Sequence, residues 1–475
     1  MTSTAEHSTT GGTAVTRAWG AVRTAANGTK HDYTQGPIGQ AIFLLAVPMV
    51  LEMVMESLFA VSDVFFVSKL GAAAVATVGL TESLMIVIYT LAMGLAIAAS
   101  AIVSRRIGEQ DPELAAVATV QAIAVALALS GSIAAVSAYF APQLLRLMGA
   151  DADVLATGTA FTRVMLGGSC TAFVLFVINA TLRGAGDAAV AMRVLTLANV
   201  INIVLGPLLI FGVGPFPRLG VTGAAVATTF GRGVGVLFAL SRLLRGTGHL
   251  AIMRRHLTLD VETMGRLLRL SRNGTFQVLV GSLNWIVLVR LMSAFGSVAM
   301  AGYTIAIRLV IFGLLPAWGL SNAAATMVGQ ALGASNPDRA EASVWVAARY
   351  NVIFLGVMAL LLFVGAPFII SAFTHEPAVA DVASFGLRTI AVGFPAFAFG
   401  MVLTQSFNGA GDTVTPTWIN IGVFWLFETP VAWALSTHSS FQWRAIFGSV
   451  LAAYTALAIV SAVLFRRGRW RTKSV

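Results

Sequence analysis

The stretch IGQAIFLLAVPMVLEMVMESLFAVSDVFFVSKLG, residues 38–71, decides the class of fold. Between Ile38 and Ser68 its only charged side chains are Glu52, Glu56 and Asp63. A run that long exceeds the roughly 20 apolar residues with which a helix crosses the hydrocarbon core of a bilayer. Comparable runs follow near 71–104, 114–140, 154–182, 192–213, 220–244, 267–295, 297–328, 340–364, 378–408, 415–435 and 442–465, so an all-α integral membrane protein with twelve transmembrane helices is expected. The composition of all 475 residues agrees: 57% are apolar, 11% are charged, and the mean hydropathy is +0.85. A soluble domain has roughly 45–50% apolar and about 25% charged residues. A soluble enzyme and a DNA-binding protein are therefore excluded.

The net charge of +10 does not mark a nucleic-acid partner, because the basic residues gather in short loops. Arg105 and Arg106, Arg183 and Arg193, the stretch from Arg242 to Arg272, and the tail with Arg466, Arg467, Arg469, Arg471 and Lys473 fall on one side. The other side carries only scattered cations such as Lys69, Arg146, Arg218 and Arg444. Basic loops stay cytoplasmic, so both termini are expected in the cytoplasm and the chain in a plasma membrane, the inner membrane of a bacterium. Residues 1–37 are Thr/Ser/Gly-rich, lack the apolar core of a signal peptide, and read as a disordered cytoplasmic tail. The expected organisation is an N-lobe at 38–245, a cytoplasmic connector at 246–266, a C-lobe at 267–465 and a basic tail at 466–475. Cys170 is the single cysteine, and no Cys/His cluster is spaced to hold a metal. No cofactor is expected; the expected partners are a small molecule and the lipid bilayer, with no nucleic acid, for a monomer.

An internal repeat organises the chain. Adding 225 to the residue number carries Gly71 to Gly296, Gly94-Leu95 to Gly319-Leu320, Gly108 to Gly333, Pro112 to Pro337, Pro142 to Pro367, and Gly184-Ala185-Gly186-Asp187 to Gly409-Ala410-Gly411-Asp412. Aligned without gaps, 71–115 and 296–340 share 14 of 45 residues, where this composition gives roughly four or five by chance. Six helices per repeat is an even number. Both halves therefore start from the same side, as parallel repeats about an axis along the membrane normal, enclosing a central cleft.

Five carboxylates fall inside spans: Glu52, Glu56, Asp63, Glu82 and Glu428. Each costs at least about 2.5 kcal/mol at mid-membrane on insertion scales and needs a partner or a task. At 100° per residue Glu52, Glu56 and Asp63 lie within about 60° of one another, one acidic stripe on one helix face. Such a stripe suits a proton relay or a bound cation; alternatively Glu52 and Glu56 pair with loop arginines near the cytoplasmic end. Pro48 in the same run predicts a kink, either a hinge coupled to protonation or a static bend. Glu428 sits two residues before Pro430, and Arg308 looks like the only deep basic residue, a possible partner of Glu428 or Glu82. Asn179, Asn199, Asn202 and Asn284 offer amides at membrane depth for cation coordination or helix–helix hydrogen bonds. The turns at 183–187 and 408–412 lack a phosphate-loop frame, and their aspartates read as helix N-caps.

Together these residues resemble the multidrug and toxic compound extrusion (MATE) transporters, closest to their DinF-like branch. The resemblance runs from Ile38 to about Phe465. It is carried by Pro48 with Asp63-Val64-Phe65-Phe66-Val67-Ser68-Lys69-Leu70-Gly71, by Leu182-Arg183-Gly184-Ala185-Gly186-Asp187, by Gly220-Val221-Thr222-Gly223-Ala224-Ala225 and by Val328-Gly329-Gln330-Ala331-Leu332-Gly333-Ala334. It implies a V-shaped pair of six-helix lobes that export drugs against an inward H⁺ or Na⁺ gradient. In that branch the coupling cation sits on a first-helix Asp, matched by Asp63, and an Asn-x-x-x-Asp pattern whose Asn is matched by Asn202. The sequence departs at Gly206, where the branch has the second Asp, and in 277–284, where other branches have an acid. With Glu52, Glu56 and Glu82 in reserve, coupling to H⁺ is favoured over Na⁺, because fewer carboxylates converge than a hard cation wants. A lipid-linked oligosaccharide flippase of the same superfamily is the alternative, but the deep charges here are mainly acidic. A membrane enzyme would need clustered catalytic groups, and the six histidines all fall in tails or loops.

Overall fold

The computed structural model describes residues 14–28, 31–246 and 248–473, and among them all regular structure is helical. In chain order the helices are α1 (Ala14–Asn27), α2 (Ile38–Ser68), α3 (Ala72–Gly108), α4 (Pro112–Tyr139), α5 (Ala141–Leu147), α6 (Ala152–Gly184), α7 (Ala188–Phe211) and α8 (Val221–Arg245). After the connector come α9 (Val261–Ser293), α10 (Gly296–Gly333), α11 (Pro337–Ser371), α12 (Pro377–Gly409), α13 (Val414–Asn420), a π-helical stretch at Ile421–Glu428, α14 (Thr429–His438) and α15 (Trp443–Arg466). Twelve of these elements, counting Val414–His438 as one, are long and apolar enough to span a bilayer. In hydrocarbon a helix satisfies every backbone polar group within its own segment, which is why the apolar runs take this form.

The offset of 225 reappears as geometry. Helices α2, α3 and α6 end at Ser68, Gly108 and Gly184, and α9, α10 and α12 end at Ser293, Gly333 and Gly409. The two non-glycine residues that follow the second span of each half in a left-handed conformation, Gln110 (φ 61°) and Ser335 (φ 56°), obey the same offset. So do the caps after them: Asp111 accepts from Leu114 N at 2.9 Å, and Asn336 accepts from Arg339 N at 3.0 Å. Where the lobes touch, Gly94 lies against Thr275 and Gly319 against Met49 and Val50; a Cβ on either glycine would sit 2.6 Å from the facing backbone. Thr275 and Val50 are again 225 apart, so the contacts are related by the pseudo-two-fold axis.

The lobes meet at the end of the bundle that carries both chain termini. The first half of α2 packs into the opposite lobe: Ala41, Ile42, Leu45 and Met49 share a core with Ala324, Met327 and Val402. Its counterpart α9 sends Leu267 into the N-lobe core beside Leu95 and Ile102. The packing boundary thus runs through these two helices. Helix α2 continues unbroken through Pro48, and beyond it Glu52 and Glu56 turn to α6 and α7 of the N-lobe.

The N-terminal stretch differs from its sequence reading, and the basic C-terminal tail is packed as well. Within residues 1–37, expected to be disordered, Ala14–Asn27 is helical and Tyr33 is buried. The reason is distant in sequence: Arg339 of α11 donates to Tyr33 O, Gln35 O and Gly36 O at 2.7 to 3.1 Å, and Tyr33 Oη donates to Gly186 O at 3.4 Å. In the 466–475 tail, Trp470 is buried against Phe465 and Arg471 pairs with Asp338 at 3.1 Å. Asp187, expected to cap a helix, instead accepts from His249 N at 2.7 Å and ties down the connector.

Candidate functional site

Helix α2 presents its three carboxylates to α6, α7 and α8. Glu52 is 1% exposed, and its Oε1 accepts from Arg183 Nη1 at 2.6 Å and Asn179 Nδ2 at 3.4 Å. One turn further on, Glu56 accepts from Asn199 Nδ2 at 3.2 Å and faces Arg232 Nη2 at 3.8 Å. Arg232 also donates to Tyr89 Oη at 2.8 Å. Asp63 is half-buried and, among the described residues, makes no hydrogen bond and no ion pair within 4 Å; it and Arg232 are close enough to interact electrostatically. Asn202 does not reach Asp63, because its amide donates to Thr228 Oγ1 at 2.6 Å and joins α7 to α8. Beside it Gly206 leaves room: a Cβ there would come no nearer than 3.9 Å, to Asn202 Oδ1.

Glu82 of α3 and Arg308 of α10 are exposed and belong to opposite lobes. They interact across the cleft without an ion pair within 4 Å. Arg308 therefore does not partner Glu428.

The C-lobe centre is of another kind. Glu428, 2% exposed, closes the π-helical stretch. Pro430 just after it has no N–H to return to the preceding turn, a local reason for the wider helix. Glu428 Oε2 accepts from Asn284 Nδ2 at 2.9 Å, and Thr429 Oγ1 donates to Asn284 Oδ1 at 3.0 Å and to Phe424 O at 3.0 Å. The hydroxyls of Tyr303 and Tyr454 are buried near this carboxyl without hydrogen-bond partners among the described residues.

Arg232 corrects the expectation that Arg308 is the only deep cation. It lies at the middle of α8 and is 9% exposed. Its position near the centre of the 220–244 run was the signal in the sequence. Arg183, read as a loop residue, is the last-turn partner of Glu52.

A family described as MatE matches residues 48–208 and 275–434, about two thirds of the chain, once in each half. The chain is 26% identical to "Probable multidrug resistance protein YoeA" of Bacillus subtilis (strain 168), over 92% of this chain and 95% of that protein. It is also 26% identical to a "FAD transporter" of Shewanella oneidensis, over 85% of this chain and 89% of that protein. Among solved structures, "Outward-facing conformation of a multidrug resistance MATE family transporter of the MOP superfamily" superposes with a TM-score of 0.87 at 26% identity, covering 93% of this chain and 98% of the other.

Proposed function

The chain belongs to the MatE family of membrane transporters, and from that premise we propose that it is a secondary active antiporter that exports amphipathic cations by alternating access, driven by inward flux of H⁺ rather than Na⁺. It works as a monomer in a plasma membrane with both termini and the basic connector in the cytoplasm, where the loop charges favour them. The cleft then faces outward in this conformation, since the lobes are joined at the terminus-bearing end. The observation that carries the reading is Asp63: a carboxyl in a membrane span that, among the described residues, has no hydrogen bond or ion pair, next to two carboxyls that have both. An unpartnered acid at this depth is stable when it holds a proton and is set to exchange it. Glu52, Glu56 and Glu82 extend the path, Pro48 marks where α2 passes from one lobe to the other, and Glu428 with Asn284 offers a separate C-lobe position for a proton or a substrate amine.

The test is transport by the purified chain in liposomes with ethidium as the probe. A pH gradient alone, with sodium absent, drives uptake against the gradient; a sodium gradient at equal pH does not. Sodium-driven transport without a pH gradient overturns the reading. A second reading, export of an anionic flavin nucleotide, is favoured by the exposed Arg308 on the cleft wall and by the relative named for FAD. Transport of FAD in the same liposomes with none of ethidium would select it.

A further inference from the structure

We propose that Arg232 is a built-in counter-cation, its guanidinium occupying the cation position of the N-lobe acid network so that one further monovalent charge completes it. The proposal rests on this network being the coupling site. Its first support is the surroundings of the guanidinium. From α2 it is faced by Glu56, 3.8 Å from Nη2, and by the Asp63 carboxyl; from α3 it is faced by Tyr89, whose Oη accepts at 2.8 Å. The rings of Phe59 and Tyr89 lie 5.8 and 5.7 Å from Cζ. Carboxylates with aromatic walls make the chemistry of an organic-cation site, and here the cation is part of the chain. Arginine suits the position because it stays charged when buried and its planar head meets both rings and carboxylate.

The backbone is arranged to deliver it. Gly231 brings α8 so close to α7 that a Cβ there would lie 2.6 Å from Ala198 O. The charge count gives the second support. The network holds three carboxyls, Glu52, Glu56 and Asp63, against two guanidiniums, Arg183 and Arg232. Glu82 interacts with the Asp63 carboxyl and with Arg308, and adding that pair leaves the balance unchanged, four carboxyls against three guanidiniums. One negative charge is left over, and in a membrane span an uncompensated charge is disfavoured. A single proton neutralises it.

Removing the arginine alone leaves two surplus carboxyls, and a mobile cation gains a place. Thermal unfolding of the purified full chain is measured at mildly alkaline pH, in sodium chloride against choline chloride of equal ionic strength. The wild type shows no sodium-specific shift, whereas Arg232→Gln gains a sodium-specific rise in Tm of several degrees, the signature of a ligand bound to the folded state. The gain is absent in Arg232→Lys, which keeps the charge, and in Arg232→Gln/Glu56→Gln, which removes the pair together. A sodium shift in the wild type, or none in Arg232→Gln, overturns the proposal. If Arg232→Gln does not fold, the double variant decides: its recovery as folded protein supports charge compensation, and its failure overturns it. Because the readout is binding, failure here differs from failure of proton-driven transport in liposomes.

Discussion

In the N-lobe, Glu52 and Glu56 each face an arginine and Asp63 is left over, whereas in the C-lobe Glu428 faces, among the described residues, an asparagine amide and two tyrosines and no cation. Yet the scaffolds of the two lobes match at an offset of 225 in helix ends, caps and left-handed turns. The match stops at the interior polar residues. The positions equivalent to Glu52, Glu56 and Asp63 are Gln277, Gly281 and Leu288, so the duplicated scaffold holds two different polar centres. A backbone satisfied by its own hydrogen bonds tolerates such divergence, because an interior side chain needs only a local partner. The N-lobe centre is rich in fixed charge with one acid unmatched; the C-lobe centre is a single acid in neutral surroundings. Two chemistries can therefore be separated by lobe.

The most damaging test of this division is Asp63→Asn. The amide keeps the shape and cannot titrate, so transport driven by a pH gradient should fall at least roughly tenfold while the amount of folded protein is unchanged. Flux in liposomes, with Glu428→Gln measured beside it, checks the outcome. Should Glu428→Gln abolish proton-driven flux and Asp63→Asn retain it, the coupling role would move to the C-lobe.

Stability gives the next contrast. Arg183→Gln strands the Glu52 carboxylate in a buried position, and loss of one partner from such a pair costs about 3–5 kcal/mol. Glu428→Gln removes no ion pair and keeps an oxygen for the Asn284 amide, so its cost stays within about 1 kcal/mol. Thermal unfolding of the two purified variants should rank them in that order. Equal losses would mean that Glu428 has a countercharge after all.

The spans and the repeat were legible because each rests on a one-dimensional quantity, the length of an uncharged run or an offset in numbering. The acidic stripe was legible for the same reason, since Glu52, Glu56 and Asp63 share one helix. Their partners were not. Arg183 comes from the end of α6 and Arg232 from the middle of α8, and only packing brings either to α2. Asn202 matched a familiar pattern, but Thr228, on the neighbouring helix, takes its amide. The docked stretch at 33–36 escaped because its anchor, Arg339, lies in the other half of the chain.

The smallest expected effect concerns how each lobe begins. Helix α2 starts after Pro37 with no side-chain cap, whereas α9 starts after Asp260, whose Oδ1 accepts from Glu262 N and Thr263 N at 3.1 Å each. Hydrogen bonds from the Thr263 hydroxyl and backbone, and from Glu262 N, hold the Asp260 carboxyl below the usual carboxylate range, although burial opposes them slightly. A folded-state pKa below the unfolded one means that the contribution is present in full above the unfolded value near about 4 and is lost as pH falls through the folded value. Asp260→Ala should therefore lower stability by about 1 kcal/mol at neutral pH, the usual effect of losing an N-cap. The gap to wild type should narrow in acid. Trimming the α2 start by Pro37→Ala removes no such bond and should leave the pH profile of Tm unchanged. A gap for Asp260→Ala that widens in acid would show that the carboxylate at the start of α9 is not a cap but a strained charge, and the two lobes would then begin alike.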